Sequence, residues 1–228
     1  MQNLKVIYEN NHIIVVEKPV NVPSQKDKTN DEDMITIIKE YLKEKYNKKG
    51  NVYLALIHRL DRPVGGVMVF AKTSKAASRL CNQVRNREMQ KIYLAIVDGK
   101  LEKSKGKLEN YLLKNERTNT SKVVNEETKN AKLALLEYEV LKYNEETNLS
   151  LVKVKLHTGR HHQIRLQFSN IGHALYGDQK YGTRGKGKQI CLWAYELTIK
   201  NPITNEKQTF KSIPMETGSW KIIEGVEL

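Results

Sequence analysis

The sequence has no apolar run approaching the roughly 20 residues that a helix needs to cross a bilayer. Residues 1–5 also lack the apolar core that a secretory signal peptide carries. These two absences argue against a membrane-spanning protein and against an exported one. We therefore expect the protein to work in the cytoplasm.

Cysteine is scarce, with only Cys81 and Cys191 in the chain. The two residues lie far apart in sequence and each has apolar neighbours. A disulfide framework or a zinc clamp would need more cysteines at closer spacing. We expect two buried, reduced thiols, as in a cytoplasmic protein.

Acidic residues are too few to balance the basic ones. The 228 residues include 39 Lys and Arg against 26 Asp and Glu, so the net charge is +13. Such an excess favours a polyanionic partner, either nucleic acid or an anionic membrane surface. Lysine greatly outnumbers arginine, however, and a bias in coding composition alone could produce that pattern. The charge therefore only supports a nucleic-acid partner.

Strand patterns outnumber helical ones along the chain. They predict a hairpin of 6–8 and 13–16, strands over 91–97, 133–141, 149–156 and 192–197, and helices over 35–42, 74–84 and 164–171. We expect Ser74 to cap the second helix and Gly172 to end the third. Residues 101–131 contain few apolar side chains and predict a long excursion with a solvated hairpin around 115–120. No steady βαβ rhythm appears, so we expect one α+β domain over 1–228, with a mostly antiparallel sheet.

The most informative segment is Ile57-His58-Arg59-Leu60-Asp61, followed by Arg62-Pro63-Val64-Gly65-Gly66. Apolar stretches at 53–57 and 67–71 predict strands on either side, so Asp61 should lie on the loop between them. A single carboxylate in such a place suits a nucleophile or a general base. An Asp that only stabilises the turn is the alternative, since a proline and two glycines follow it.

His157, His161 and His162 are close enough in sequence to suggest a metal site. Zinc usually requires further Cys, His or carboxylate ligands nearby. Arg160 and Arg165 would instead repel a cation. We expect no metal here.

The segment from Gly182 to Lys188 resembles a phosphate-binding P-loop. The next residue is Gln189 where a P-loop has Ser or Thr, and no apolar strand leads into the segment. We therefore expect no nucleotide cofactor. Arg184, Lys186 and Lys188 are better explained as a basic loop that contacts RNA phosphates, or as solvated surface.

Four motifs decide among these possibilities, because they occur in one order over most of the chain: His58-Arg59-Leu60-Asp61, Lys91-Ile92-Tyr93-Leu94-Ala95, Gly159-Arg160-His161-His162-Gln163-Ile164-Arg165 and Gly177-Asp178-Gln179-Lys180-Tyr181-Gly182. Together they resemble the RluA-type family of RNA pseudouridine synthases, from Lys18-Pro19 to about Asn201-Pro202. The resemblance implies a central mixed, mostly antiparallel sheet flanked by helices and loops, with the active-site cleft across it. It also implies an enzyme without cofactor that converts specific uridines of ribosomal RNA or tRNA to pseudouridine. We expect this enzyme to be a monomer.

The resemblance also assigns roles to individual residues. Asp61 matches the catalytic aspartate, as nucleophile at the sugar or as base at its neighbouring carbon, and Arg165 matches the arginine that pairs with it. Tyr93 matches the active-site tyrosine, whose ring stacks on the uracil and whose hydroxyl could take the C5 proton. Arg59 matches the arginine that fills the gap left by a flipped base. His162 would order the cleft or contact RNA, and Arg160 would contact RNA.

Each of these roles has a plainer alternative. Tyr93 could be a core or cross-strand aromatic, and Arg165 could be a solvated helix charge. Arg59 could be an ordinary phosphate-contacting or surface arginine. The whole chain could be a noncatalytic RNA-binding or ribosome-assembly factor that keeps the fold. The intact set of Asp61, Tyr93 and Arg165 favours the enzyme.

The chain departs from the family pattern in three places. Val64-Gly65-Gly66 stands where many members have Thr-Ser-Gly, and Trp193 where many have His. Lys18-Pro19 lies too near the start for the S4 RNA-binding domain that several relatives carry ahead of it. We therefore expect target choice to reside in the catalytic domain or in a partner.

Overall fold

A computed structural model describes residues 4–29, 31–182, 187 and 189–228. Its elements, in chain order, are β1 (Val6–Glu9), β2 (Ile13–Lys18), α1 (Met34–Lys45), β3 (Ala55–Leu56), β4 (Gly65–Ala71), α2 (Ser74–Arg85), β5 (Gln90–Asp98), β6 (Lys105–Asn115), β7 (Thr120–Val124), β8 (Lys132–Asn144), β9 (Leu149–Leu156), α3 (Gln163–Asn170), β10 (Leu192–Lys200), β11 (Lys207–Lys211) and a 3₁₀ helix (Gly218–Ile223). The predicted α+β class is confirmed. Within the described residues, no helix is both long enough and apolar enough to cross a membrane.

The chain divides into two compact units. The first comprises Met1–Lys91 with Ala194–Ile213, and the second comprises Ile92–Trp193 with Pro214–Leu228. The single domain expected from the sequence therefore stays a prediction.

The first unit contains the strand order β1-β2-β4-β10, with β3 paired to β4 and β11 paired to β10. The pairs β1/β2, β2/β4, β3/β4 and β10/β11 are antiparallel, and the predicted first hairpin is confirmed. The side chains of β2 from Ile13 to Val16 have no exposed surface, and every residue of β4 is buried. These two apolar strands form the centre of this unit's core.

Both helices of the first unit begin at a side-chain cap. The Asp33 carboxylate accepts a hydrogen bond from the Thr36 N–H at 2.9 Å and starts α1. For α2 the cap is Thr73, whose hydroxyl accepts from the Ala76 N–H at 3.3 Å, so the prediction of Ser74 was wrong by one residue. Cys81 of α2 is exposed, which corrects the expectation of a buried thiol. It lies on the solvent side of the helix, whose buried face contains Ala77 and Leu80.

The second unit contains the strand order β5-β9-β8-β6-β7. The pairs β6/β7, β6/β8 and β8/β9 are antiparallel. The solvated hairpin at 115–120 is confirmed, because residues 114–119 are exposed, but the expectation that the surrounding segment is an excursion was wrong. β6 pairs with β8 from Lys105 to Leu112 and is therefore part of the sheet. Its side chains are largely exposed or half-buried, so the segment needs few apolar residues.

The core of the second unit includes Ile96, Leu149, Leu151 and Cys191, with Ile222 and Ile223 of the 3₁₀ helix. Burial raises the pKa of the Cys191 thiol to about 12, so this cysteine is an unreactive core residue. Both cysteines are free, as expected. The predicted stop after α3 is also confirmed, because Gly172 has a φ of +83° just past the helix end.

Candidate active site

Asp61 lies on the connection between β3 and β4, where the sequence predicts it. Its neighbours alternate in burial: His58 and Leu60 are buried, whereas Arg59 is exposed. Asp61 itself is half-buried, and its carbonyl accepts from the Val64 N–H at 2.9 Å to close the turn. The loop therefore presents Arg59 to solvent and keeps Asp61 half-buried.

The two buried residues before Asp61 are tied to distant parts of the first unit. The Ser24 hydroxyl donates to the Leu60 carbonyl at 2.8 Å and accepts from the Leu60 N–H at 3.1 Å. The Val69 N–H of β4 donates to His58 Nε2 at 3.3 Å. Burial, and then the charge of Lys91, lower the pKa of His58 to about 3, so its ring stays neutral.

Lys18 fixes the chain on the other side of Asp61. Its side chain is completely buried, and Nζ donates to the carbonyls of Val22 at 2.6 Å and of Pro19 and Arg62 at 2.9 Å. Burial lowers the pKa of Lys18 to about 7, while the nearby Asp61 carboxylate raises it. Three carbonyl acceptors match the three N–H donors of an ammonium group. A lysine before a proline thus positions the segment that follows Asp61.

Arg62 connects this segment to the loop before α1. Its guanidinium donates to the Asp31 carboxylate, to the Thr29 hydroxyl at 2.9 Å and to the Asn21 carbonyl at 3.2 Å. These contacts are partly exposed and individually weak. Together with the contacts of Ser24 and Lys18, they hold Leu60 and Arg62, the two neighbours of Asp61.

Gly66 is the position at which the segment Val64-Gly65-Gly66 keeps the last residue of the family's Thr-Ser-Gly pattern. Its φ is +120°, and a Cβ there would lie 2.2 Å from the Ala194 carbonyl oxygen. Only glycine fits this close approach of two backbones. The family glycine is kept at this position, whereas the first residue of the triplet is a buried Val64. Trp193, the other departure, is a buried residue of β10.

In the second unit, Arg165 forms a buried two-point ion pair with Asp178. Arg165 Nε donates to Oδ2 at 2.7 Å and Nη2 donates to Oδ1 at 2.7 Å. The exposed fractions of the two side chains are 6% and 0%. Burial raises the pKa of Asp178, but the hydrogen bonds and charge of Arg165 outweigh it and leave that pKa below its usual value. Arg165 is therefore not a solvated helix charge.

Asp178 was not predicted as a site residue from the sequence, although it lies in the fourth of the family motifs, residues 177–182. Asp178 Oδ1 also accepts from the N–H groups of Lys180 at 2.8 Å and Tyr181 at 3.1 Å. A Cβ on Gly177 would lie 2.1 Å from the Gln189 carbonyl oxygen, and one on Gly182 would lie 2.7 Å from that of Asp178. The motif thus builds a tight loop around one carboxylate. The signal for Asp178 was Arg165 on the preceding helix, because a buried arginine requires a carboxylate partner.

Tyr181 joins this loop to β7 and to the start of α3. Its hydroxyl accepts from the Ser121 N–H at 2.7 Å and bonds His162 Nδ1 at 2.8 Å, while its ring centre lies 5.4 Å from the Arg165 guanidinium. The rings of His161 and His162 stack at 3.7 Å, and His161 Nδ1 bonds the Ser121 hydroxyl at 2.9 Å. Arg165 is thus surrounded by an aromatic ring and a carboxylate that are themselves fixed.

The comparison with protein families matches residues 12–170 to the RNA pseudouridylate synthase model. The match covers most of the chain and includes the Asp61 loop, β5 and α3. The chain belongs to the RNA pseudouridine synthase family. The resemblance drawn from the four motifs is confirmed, and with it an isomerase that acts on RNA.

Relatives of this synthase support the assignment over nearly its whole length. It is 34% identical to a dual-specificity RNA pseudouridine synthase RluA of Haemophilus influenzae, over 92% of each chain. It is 32% identical to an uncharacterized RNA pseudouridine synthase of Aquifex aeolicus, over 94% of this chain and 70% of that protein. Human RNA pseudouridylate synthase domain containing 1 is 23% identical, with a TM-score of 0.77 over 96% of this chain and 86% of its own. That likeness confirms the pseudouridine synthase fold.

The predicted site residues of this synthase are distributed over both units. Asp61 and Arg59 belong to the first unit, and Tyr93 and Arg165 belong to the second. Tyr93 is 8% exposed on β5. The pairing of Asp61 with Arg165 stays a prediction.

The residues expected to contact RNA differ in how far the structure describes them. Arg160 is half-buried, with Nε donating to the Leu133 carbonyl at 2.8 Å, and His162 is buried at the start of α3 with a φ of +53°. The basic side chains Arg184, Lys186 and Lys188 lie outside the described residues. In the part of the synthase that the structure covers, no three His, Cys, Asp or Glu residues are placed to hold a metal ion.

Proposed function

We propose that the protein isomerises specific uridines in structured RNA, either ribosomal RNA or tRNA, with Asp61 as the essential carboxylate. The names of two relatives support an RNA substrate of this kind. The Haemophilus RluA is a dual-specificity RNA pseudouridine synthase, and a 29% identical protein from the same organism is a tRNA pseudouridine synthase. The target uridine is left open by both names.

The reaction rearranges bonds without net oxidation or reduction. The bond between uracil N1 and the ribose C1′ breaks, the base turns in place, and a bond forms between uracil C5 and C1′. C5 loses a proton and N1 gains one. Asp61 would begin the process, as nucleophile at the sugar or as base at the adjacent carbon, and Tyr93 would take the C5 proton. No metal or nucleotide is needed for this balance.

Arg165 would keep the Asp61 carboxylate ionised in a site from which water is excluded. A planar guanidinium has two edges that can each bind a carboxylate through two N–H groups. Asp178 uses the Nε and Nη2 edge. A pair with Asp61 through the Nη1 end is therefore stereochemically compatible with the pair to Asp178.

RNA binding would use the exposed Arg59, the α3 start with Arg160 and His162, and the basic segment with Arg184, Lys186 and Lys188. Flipping the target uridine costs a few kcal/mol of stacking, least in loops and bulges. Arg59 is exposed between two buried residues and would fill the space left by the base. The net charge of +13 would supply affinity for the phosphate backbone. We further propose a monomer that acts in the cytoplasm.

The observation that carries the proposal is the fixation of Asp61 from both sides. On the two sides of Asp61, the buried Lys18 ammonium donates to the Arg62 carbonyl, and the buried Ser24 hydroxyl bonds both backbone groups of Leu60. A noncatalytic RNA-binding factor would have no need for a carboxylate fixed in this way. Active-site geometry, by contrast, requires preorganised side chains.

The decisive experiment maps pseudouridine in total RNA from cells with and without the gene. Loss of one or more pseudouridines identifies both the activity and the target. Restoration by the wild-type gene but not by an Asp61→Asn gene assigns the chemistry to Asp61. An unchanged map, together with an assembly defect that Asp61→Asn rescues, would establish the noncatalytic factor instead.

A further inference from the structure

We propose that Asp178 is a positioning residue of the reaction, which fixes the plane and direction of the Arg165 guanidinium. The inference rests on the proposed role of Arg165 beside the catalytic carboxylate. Asp178 itself would not touch the reacting atoms. It would act only through the arginine.

The geometry of the pair restricts how Arg165 can turn. Two parallel hydrogen bonds of 2.7 Å join Nε and Nη2 to the two oxygens of one carboxylate. Rotation of the guanidinium about its last torsion would break at least one of these bonds. The Nη1 end therefore points in a single direction, set by the position of Asp178.

Asp178 can define that direction because burial and hydrogen bonds hold it in place. Its side chain has no exposed surface, and Oδ1 accepts from the N–H groups of both Lys180 and Tyr181. The glycines at 177 and 182 let the loop close so tightly that a Cβ on either would collide with backbone. The Tyr181 ring lies beside the guanidinium, with the ring centre 5.4 Å from Arg165 Cζ.

The charge of Asp178 matters as well as its shape. A buried guanidinium is stable only when a counter-charge accompanies it. An Asn at this position could still accept the backbone hydrogen bonds through one oxygen. Its amide NH₂ group would then face an N–H of Arg165, donor against donor. Asp178→Asn would therefore release Arg165 from its orientation while the loop keeps its shape.

The test measures single-turnover rates at saturating RNA together with KM. We expect Asp178→Asn to lower the rate about tenfold or more, because small misplacements of a positioning group have effects of this size. KM should change less than about threefold, since substrate contacts remain. Glu9→Gln is the matched control. The Glu9 side chain is only 7% exposed and is ion-paired to Lys45 and Lys72, so its loss should reduce stability without changing the rate.

A double-variant cycle separates positioning from general damage. Arg165→Lys should retain part of the activity. Adding Asp178→Asn to this variant should lower the single-turnover rate by less than about a further threefold, because the arginine through which Asp178 acts is already gone. Full additivity of the two effects, or a wild-type rate for Asp178→Asn, overturns the inference. Wild-type rates for both Arg165→Lys and Arg165→Leu would instead overturn the proposed role of Arg165.

Asp178→Glu covers the case in which the Asn variant fails to fold. It keeps the counter-charge that the buried Arg165 requires but shifts the carboxylate by one methylene. We expect a folded protein with a lowered rate and an unchanged KM. A wild-type rate from this variant would show that the exact position of the carboxylate is unimportant and would sink the inference.

Discussion

Ser24 and Leu60 exchange two hydrogen bonds through one hydroxyl group, which donates to the Leu60 carbonyl at 2.8 Å and accepts from its N–H at 3.1 Å. The two residues are 36 positions apart in sequence, and both are buried. A single small side chain thus satisfies both backbone groups of the residue immediately before Asp61. Because no helix or strand includes Leu60, these groups depend on Ser24.

Ser24→Ala should damage both stability and catalysis. Two buried backbone groups would lose their partner, at a cost of about 1–3 kcal/mol in the free energy of unfolding. The turnover rate at saturating RNA should also fall, since Leu60 and then Asp61 gain freedom. Urea unfolding and single-turnover kinetics measure the two effects. A variant with lowered stability but an unchanged rate would show that Ser24 supports the fold without affecting catalysis.

Asp61→Asn should abolish the reaction while RNA affinity stays within about threefold, because the amide keeps the size of the carboxyl group but cannot attack or accept a proton. The exposed Glu127→Gln removes the same charge elsewhere and serves as the control. Product is scored by chemical mapping of pseudouridine. Measurable turnover above background by the Asn variant would refute the assignment.

Stability should fall in acid because of His58. Its pKa is about 3 in the fold against an ordinary value of 6.5, so between these values only the unfolded chain binds the proton. The free energy of unfolding should therefore decrease as pH drops below about 6, by up to about 1.4 kcal/mol per pH unit. His58→Gln removes this titration and should flatten the slope by one proton. Equal slopes for the two proteins in urea unfolding would contradict the prediction.

Tyr181→Phe should lower stability more than activity. The change removes the hydroxyl that bonds Ser121 and His162, at a cost of about 1–3 kcal/mol, but keeps the ring beside Arg165. We expect the rate at saturating RNA to stay within about threefold. Tyr181→Leu, which also removes the ring, should be slower. Thermal unfolding with single-turnover kinetics distinguishes the two variants, and identical rates for them would exclude a role of the ring.

Replacing Arg184, Lys186 and Lys188 together with Ala should weaken RNA binding and its dependence on salt. Each lost phosphate contact should reduce the slope of log affinity against log salt by up to about one unit. The rate at saturating RNA should change little. Binding titrations at several salt concentrations provide the slope. An unchanged slope would mean that these residues do not contact the RNA backbone.

The secondary structure could be predicted where apolar periodicity was strong. β2, β4, β9 and the three α-helices follow from their patterns, because in these elements a buried face dictates the side chains. β6 could not be predicted, since its side chains are mostly exposed and its place in the sheet comes from backbone pairing with β8. Backbone hydrogen bonds leave little trace in composition.

The sequence offered candidate site residues but not their contacts. The motifs named Asp61 and Arg165 as candidates, yet neither the buried ammonium of Lys18 nor the Asp178 carboxylate was foreseen. Lysine and aspartate are charged residue types, which are mostly exposed in proteins, so a sequence pattern places them on the surface. Their burial depends on acceptors and donors distant along the chain, such as the Arg62 carbonyl for Lys18. Such partners become visible only when the fold is known.

The complete burial of Lys18 makes this residue a reporter on the Asp61 loop. Amine-acylating reagents need access to a deprotonated amino group, and a lysine without exposed surface denies that access. In the native protein, Lys18 should therefore stay unlabelled while exposed lysines such as Lys49 react. Because its Nζ is bonded to the Arg62 carbonyl, labelling of Lys18 would require that contact to open. The rate of its acylation, read by mass spectrometry, would thus record how often the loop that carries Asp61 comes apart in solution.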